Sequence, residues 1–324
     1  MSKAIFVTGK IPEVAIRMLA EKGYVVDINP KSSIATRRQI ISFLKKKSYD
    51  AVLTLLTDPI DAAVLEAAPS VKLYANYATG FDNIDTVEAR KRGITVTNAP
   101  ADMSSEAVAE HTIALMFALA ARIVEANEFV RRGKYKGWQP MNFIGTDILG
   151  KTLGLIGGGR IGERVAYYCK GLGMKIIYTD VVRNDRLEKD HNAVYCSSIE
   201  EVLKTADIVS LHVPLLDSTR HLINEERLHL MKPTAFLINT SRGPVVDEKA
   251  LGKALKEKVI GGAALDVFEF EPKITSGLTK LDNIILTPHI ASASIEARNQ
   301  MAEIAAQNII DFLEGRTPKN IVNQ

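Results

Sequence analysis

The chain has 324 residues, too many for one ordinary hydrophobic core, and this length predicts two domains. With 46% hydrophobic and 24% charged residues it has the composition of an ordinary globular protein. The net charge of +3 is spread over mixed signs and the only lysine triplet is Lys45 to Lys47, so nucleic acid is not implied as a partner. No apolar run approaches the roughly 18 residues that a membrane span needs, and the sequence enters its first strand without a leader, so no membrane partner is expected. Cys169 and Cys196 have no metal-ligand spacing and form no cysteine framework, which predicts no metal site and a reducing cytoplasm.

In chain order, strand-like runs at 3–9, 24–29, 49–56, 71–78 and 94–98 alternate with helix-like runs at 12–23, 36–47, 61–68 and 83–93. That alternation predicts a parallel sheet covered on both faces. After a turn at 99–103, Ser104 or Ser105 is expected to cap one long helix reaching about residue 132, whose apolar positions recur at helical spacing. Residues 133–150, with Trp138 and Asn142 among glycines and a proline, break the pattern as an extended arm whose aromatic content suggests contact with something. A second series starts at 151, with strands at 152–156, 174–180, 207–214, 234–241, 262–268 and 283–289 and helices at 161–172, 199–206, 224–231 and 247–258. The last helix, 294–313, is long enough to return to the first domain.

The expected fold class is therefore α/β, with two doubly wound parallel-sheet domains of Rossmann or flavodoxin-like type and a cleft between them. Residues 1–100 plus 291–324 form the substrate domain in this reading. Residues 101–290 form the nucleotide domain, including a dimerisation helix and arm at about 104–150.

Residues 151–180 carry the strongest local signal: an apolar strand, a glycine turn, an amphipathic helix and a second strand ending in an acid. Gly157, Gly159 and Gly162 fit the dinucleotide spacing G-x-G-x-x-G in that setting. The first glycine permits the turn, the second admits a pyrophosphate close to backbone N–H groups, and the third lets the helix pack on the strand. Asp180 stands 18 residues beyond Gly162, where a carboxylate accepts from ribose hydroxyls and repels a 2′-phosphate. The cofactor expected is NAD, with NADH preferred over NADPH. Arg183 weighs against that preference unless it is a solvated loop cation, the reading favoured here.

Three further motifs close predicted strands: Asn239-Thr240-Ser241-Arg242-Gly243, residues 265–272 ending in Glu271-Pro272, and Thr287-Pro288-His289-Ile290-Ala291. Arg242 offers a planar fork for a carboxylate, and His289 is a proton donor suited to neutral pH. A carboxylate partner would favour the protonated ring; Glu271 is preferred for this and Glu269 is the competitor. His111 is read as packed or capped, and His191, His221 and His229 as solvated.

The order of these motifs behind a mid-chain glycine fingerprint makes the sequence resemble the D-isomer-specific 2-hydroxyacid dehydrogenases along essentially its whole length. The arm and the stretch at 138–154 look most like the glyoxylate and hydroxypyruvate reductase subgroup. The resemblance implies an NAD-dependent enzyme reducing a small 2-oxo acid. In it Arg242 binds substrate, Glu271 tunes the histidine, and His289 is acid in reduction and base in oxidation. It further implies that N–H groups of Thr79 and Gly80 hold the substrate carboxylate, and that Arg160, Ile161, Asp180, His212, Val213, Pro214, Thr240 and Asp266 lie along the cofactor with the glycines, Arg242 and His289. The long helix and arm imply a homodimer, with Trp138 either a surface anchor or a residue reaching the partner subunit's substrate site. Phosphoglycerate dehydrogenase and 2-ketogluconate reductase are the enzymatic alternatives, and a dinucleotide-sensing corepressor-like binding protein is the non-enzymatic one.

Overall fold

The computed structural model describes residues 2–30 and 34–324. They divide into two compact units, one of residues 1–104 with 293–324 and the other of residues 105–292. The chain crosses between them at 104/105 and 292/293, against the crossings expected near 100 and 291.

The first unit runs β1 (Ala4–Val7), α1 (Glu13–Glu21), β2 (Val25–Ile28), α2 (Arg37–Leu44), β3 (Ala51–Leu55), α3 (Ala62–Ala67), β4 (Leu73–Tyr77), α4 (Thr86–Lys91) and β5 (Thr95–Thr97). All strand pairs are parallel, in the order β2-β1-β3-β4-β5. Side chains alternate across a strand, so a sheet covered on both faces needs apolar residues at successive positions. Ile5, Val7, Leu53 and Leu73 accordingly pack on one face with Leu19 of α1, while Phe6, Val52 and Tyr74 pack on the other with Ile40, Val64 and Ala89.

Helix α5 (Asp102–Ala120) opens at Asp102, so Ser104 and Ser105 sit inside its first turn and do not cap it. Nor does it continue to residue 132. It stops at Ala120, and α6 (Ile123–Arg131) leaves at a bend of 65°. The break has a visible cause. Arg122 takes a left-handed conformation at φ 56°, and the Ala120 carbonyl, which a continuous helix would offer to Val124, accepts the Thr146 N–H at 2.9 Å. The arm at 133–150 contains neither helix nor strand, and no helix among the described residues is long and apolar enough by itself to cross a membrane.

The second unit continues with β6 (Thr152–Ile156), α7 (Arg160–Gly171), β7 (Lys175–Thr179), α8 (Asp185–His191), β8 (Val194–Tyr195), α9 (Ile199–Thr205) and β9 (Ile208–Leu211). It is completed by α10 (Glu225–Leu228), β10 (Phe236–Asn239), α11 (Glu248–Lys256), β11 (Gly262–Leu265) and β12 (Ile284–Leu286), before α12 (Ile295–Leu313) rejoins the first unit against α1. The parallel sheet has the order β12-β11-β10-β9-β6-β7-β8. Strand order reverses between β6 and β9, and a ligand crevice opens at the carboxyl ends of strands at such a point. Helix α8 and strand β8 have no counterpart in the sequence expectations.

Candidate active site

The glycine turn lies at that switch point, after β6. A Cβ on Gly157 would stand 2.5 Å from the His212 carbonyl oxygen beyond β9, and one on Gly162 would stand 2.3 Å from the Gly157 oxygen. Both glycines are therefore fixed by backbone approaching backbone. Gly159, by contrast, has open space around it and forms the N-cap of α7 without a side-chain cap. A helix N-terminus left open beside a glycine is where phosphate oxygens find N–H donors and a favourable dipole. Arg160 is the first residue of this helix, and Ile161 packs against the core beneath it.

At the end of β7, Asp180 accepts the Gly158 N–H on Oδ2 and the Val181 N–H on Oδ1, both at 2.6 Å, which fixes a negative charge beside the glycine turn. Arg183 is an exposed loop cation, as expected, but it is also paired. Its guanidinium is held by Glu188 at 2.5 Å and lies 5.0 Å from the centre of the Tyr195 ring, which draws its charge toward α8. After β9, the His212 ring shares a hydrogen with the Ser210 hydroxyl at 2.9 Å, and burial pushes its pKa down to about 3. Val213 packs on the core and the Pro214 carbonyl accepts from Thr219, so this segment is anchored on both sides. These residues fit a bound dinucleotide: an open helix start, a close-packed glycine turn and a fixed carboxylate at the second strand.

Strands β10, β11 and β12 are neighbours, so the motifs at their carboxyl ends stand side by side. Asn239 closes the first. Its side-chain oxygen accepts from the Ser241 N–H at 3.0 Å while its amide donates to the Arg242 carbonyl at 2.9 Å, forming a turn that projects Arg242. Gly243 is next, and a Cβ there would lie 1.9 Å from the Phe268 carbonyl carbon, so no side chain fits between the Arg242 and Phe268 segments. Thr240 bonds to Thr112 of α5 at 3.0 Å.

From the β11 end, Glu271 points one oxygen at the Phe268 N–H (2.9 Å) and the other at His289 Nδ1 (3.0 Å). Burial pushes its carboxyl up, but His289, the Phe268 N–H and the Arg242 guanidinium outweigh burial and hold it below the usual carboxylate range. Glu269 does not compete for His289, because it bonds His221 Nε2 at 2.7 Å. His221 is accordingly paired and not merely solvated. His289 itself is left-handed at φ 54°, an uncommon conformation that needs support. Asp266 supplies it. This fully buried carboxylate accepts from the N–H groups of Ile290 (2.9 Å) and Ala291 (2.8 Å) and from the Thr287 hydroxyl (2.6 Å), and its carbonyl accepts the His289 N–H at 2.8 Å. His111 of α5 bonds Thr287 at 3.2 Å and faces Asp266 at 3.6 Å, so that histidine is packed into the support.

In the first unit, the turn after β4 is clamped by its carbonyls: Asn98 donates to Thr79 O at 2.7 Å and Asn76 to Gly80 O at 2.9 Å. Asn83 joins Asn76 and also donates to the Leu55 and Asp58 carbonyls. Trp138 is 82% exposed and makes no part of the Arg242–Glu271–His289 group. Sequence reasoning gave no role to Asn76, Asn83, Asn98, Thr112 or Asn239; only Asn239, followed by two hydroxyl residues before an arginine, carries a local turn signal.

Residues 113–291 match the family model for the D-isomer specific 2-hydroxyacid dehydrogenase, NAD binding domain. The glyoxylate reductase of Korarchaeum cryptofilum is 49% identical over 326 residues, covering 100% of this chain and 97% of that protein. A Thermus thermophilus protein of known structure superposes with a TM-score of 0.91 at 38% identity, covering 98% of this chain and 99% of that one. The NADPH-dependent glyoxylate/hydroxypyruvate reductase of Sinorhizobium meliloti, solved with NADP and malonate, gives 0.86 at 29% identity, covering 99% and 97%. With its switch-point glycine turn and its Arg242, Glu271 and His289 at adjoining strand ends, the chain belongs to the D-isomer-specific 2-hydroxyacid dehydrogenases, oxidoreductases built on an NAD-binding domain.

Proposed function

We propose that the protein reduces glyoxylate or hydroxypyruvate to glycolate or D-glycerate, and that Arg242, Glu271 and His289 carry the reaction. The observation that carries this reading is the 3.0 Å contact of His289 with a Glu271 carboxylate that also feels Arg242. Bound NADH supplies the hydride taken up at the carbonyl carbon. His289 gives the carbonyl oxygen its proton from Nε2, since Nδ1 is engaged by Glu271. Arg242 pairs its planar fork with the substrate carboxylate and polarises the adjacent carbonyl. In the first unit, the Thr79 and Gly80 N–H groups are the candidates for holding a substrate carboxylate, their turn being held by its carbonyl side. Asp266 acts here as a positioning residue for the His289 loop as much as a neighbour of the nicotinamide.

The 49% identity to a glyoxylate reductase over the full length supports the choice of a small 2-oxo acid. Following NADH loss with glyoxylate, hydroxypyruvate, pyruvate, 2-ketogluconate and 3-phosphohydroxypyruvate tests it; the first two should give the highest kcat/KM, and preference for either of the last two would overturn it. NADH is preferred over NADPH by at least about tenfold, on the order of 1.4 kcal/mol, because the Asp180 charge opposes a 2′-phosphate. The Sinorhizobium meliloti relative uses NADPH, so equal use of both cofactors here would locate a compensating cation. A cytoplasmic site of action fits two buried, unbridged cysteines, and a homodimer fits the apolar residues that α6 and the arm expose.

A further inference from the structure

Helix α11 begins with a glutamate that a surface helix would leave in water. Glu248 is instead 1% exposed, and neither of its oxygens serves its own helix. One accepts the Glu269 N–H at 2.7 Å and the other the Thr275 N–H at 3.3 Å. Glu269 answers in kind, one oxygen accepting the Glu248 N–H at 3.4 Å and the other meeting His221 Nε2 at 2.7 Å. His221 is held left-handed at φ 49°, with its N–H on the Pro244 carbonyl at 2.8 Å, next to the short parallel pairing of Ile223 with Val246. The two N–H groups that Glu248 holds bracket Glu271, two residues before it and four after.

We propose that Glu248, with Glu269 and His221, is a positioning unit that sets how Glu271 meets His289, and so sets the pH range over which the enzyme reduces its substrate. The inference rests on the pairing of Glu271 with His289 as the proton-delivering group. The segment bearing Glu271 belongs to no strand or α-helix; the Phe268 and Lys273 N–H groups find acceptors within it, whereas those of Glu269 and Thr275 are held from outside, by Glu248. A buried carboxylate that accepts two of them orders the segment more strongly than water can. The charged groups acting on Glu271 itself are His289 and Arg242; His221 and Glu248 act on Glu269 and reach Glu271 only through the backbone. Small displacements of such a carboxylate are felt in rate because proton delivery depends on ring orientation.

The test uses the full-length enzyme and compares Glu248→Ala, Glu248→Gln, His221→Ala and, as reference, Glu271→Gln. Glyoxylate reduction is followed across pH, with KM for NADH and Tm measured on each variant. Because His289 donates the proton, reduction is lost as pH rises, and Glu271→Gln moves that loss to lower pH. Glu248→Ala should lower kcat about tenfold or more and move the loss in the same direction, with KM for NADH within about twofold of the parent. Glu248→Gln keeps one acceptor oxygen and should lie between parent and Glu248→Ala; His221→Ala should shift the profile less. If Glu248→Ala lowers Tm but leaves kcat and the pH profile within about twofold while Glu271→Gln moves the profile, the unit is a stabilising brace only and the proposal is wrong. If Glu271→Gln leaves the profile unmoved, the reading of Glu271 fails first and the proposal with it. Should Glu248→Ala not fold, parent-like kinetics in both Glu248→Gln and His221→Ala overturn the proposal by themselves.

Discussion

Arg242 owes its placement to its neighbours' backbone chemistry: the Asn239 turn delivers it, and Gly243 lets that turn lie against the Phe268 segment. The planar fork is the group whose loss no neighbour replaces, so Arg242→Ala should cost roughly two or more orders of magnitude in kcat/KM for the oxo acid, with NADH binding retained. His289→Ala should likewise lower kcat for reduction far more than it changes cofactor affinity; stopped-flow NADH binding beside steady-state turnover separates the two. His212 makes a different prediction. Its buried ring is held near pKa 3, whereas an unfolded histidine titrates near 6.5. Between those values the unfolded chain takes up the proton first. The group's contribution to stability is therefore complete above about pH 6.5 and is lost as pH falls toward 3. A His212→Gln variant should show a flatter fall of Tm between pH 7 and pH 5 than the parent; parallel curves would place that acid sensitivity elsewhere.

At the scale of elements, legibility followed the strength of local signals. The run β6, glycine turn, α7, β7 could be read to within a residue or two because apolar alternation, three spaced glycines and a terminal acid all act locally. Ser294 likewise marks the start of α12, its hydroxyl accepting the Ala297 N–H at 3.1 Å. Helix α8 escaped notice because only Leu187 in it is buried, so no periodicity betrays it, although Asn184 caps it in the usual way. The α5–α6 break escaped for another reason: apolar spacing continues across it, and the cause lies 26 residues on, where Thr146 takes the Ala120 carbonyl. The pairing of His221 with Glu269, 48 residues apart, and the buried Glu248 were illegible in the same way. The arm's return is sterically demanding, since a Cβ on Gly145 would lie 2.1 Å from the Ala120 oxygen. Gly145→Ala should therefore destabilise by about 1–3 kcal/mol. Gly171→Ala, at the end of α7 with open space around it, should be neutral or stabilise by up to about 1 kcal/mol. Denaturant melts of the pair check this, and equal midpoints would show that the arm yields.

For the whole molecule, the decisive feature is what the second unit leaves uncovered. Helix α6 buries none of its residues, and along it and the arm Ile123, Val130, Tyr135, Trp138, Met141, Ile144 and Leu149 are all more than half exposed. Apolar side chains this dense on one stretch of chain support the proposed homodimer, since a self-complementary patch closes most simply about a two-fold axis. Phe143 is held left-handed against Phe129, with Arg122 5.4 Å from its ring, so the root of the arm is packed while Tyr135, Trp138 and Met141 along it stay exposed. A packed root with exposed apolar residues along the arm suits reaching a second copy. Sedimentation velocity at micromolar concentration should therefore show a dimer, and a monomer would remove the idea entirely. If Trp138 also touches the partner subunit's substrate, Trp138→Ala should raise KM for glyoxylate several-fold and leave KM for NADH nearly unchanged, because the indole meets substrate and not cofactor. A dimer whose Trp138→Ala variant keeps parental substrate kinetics would leave the interface standing and return the tryptophan to the role of surface anchor.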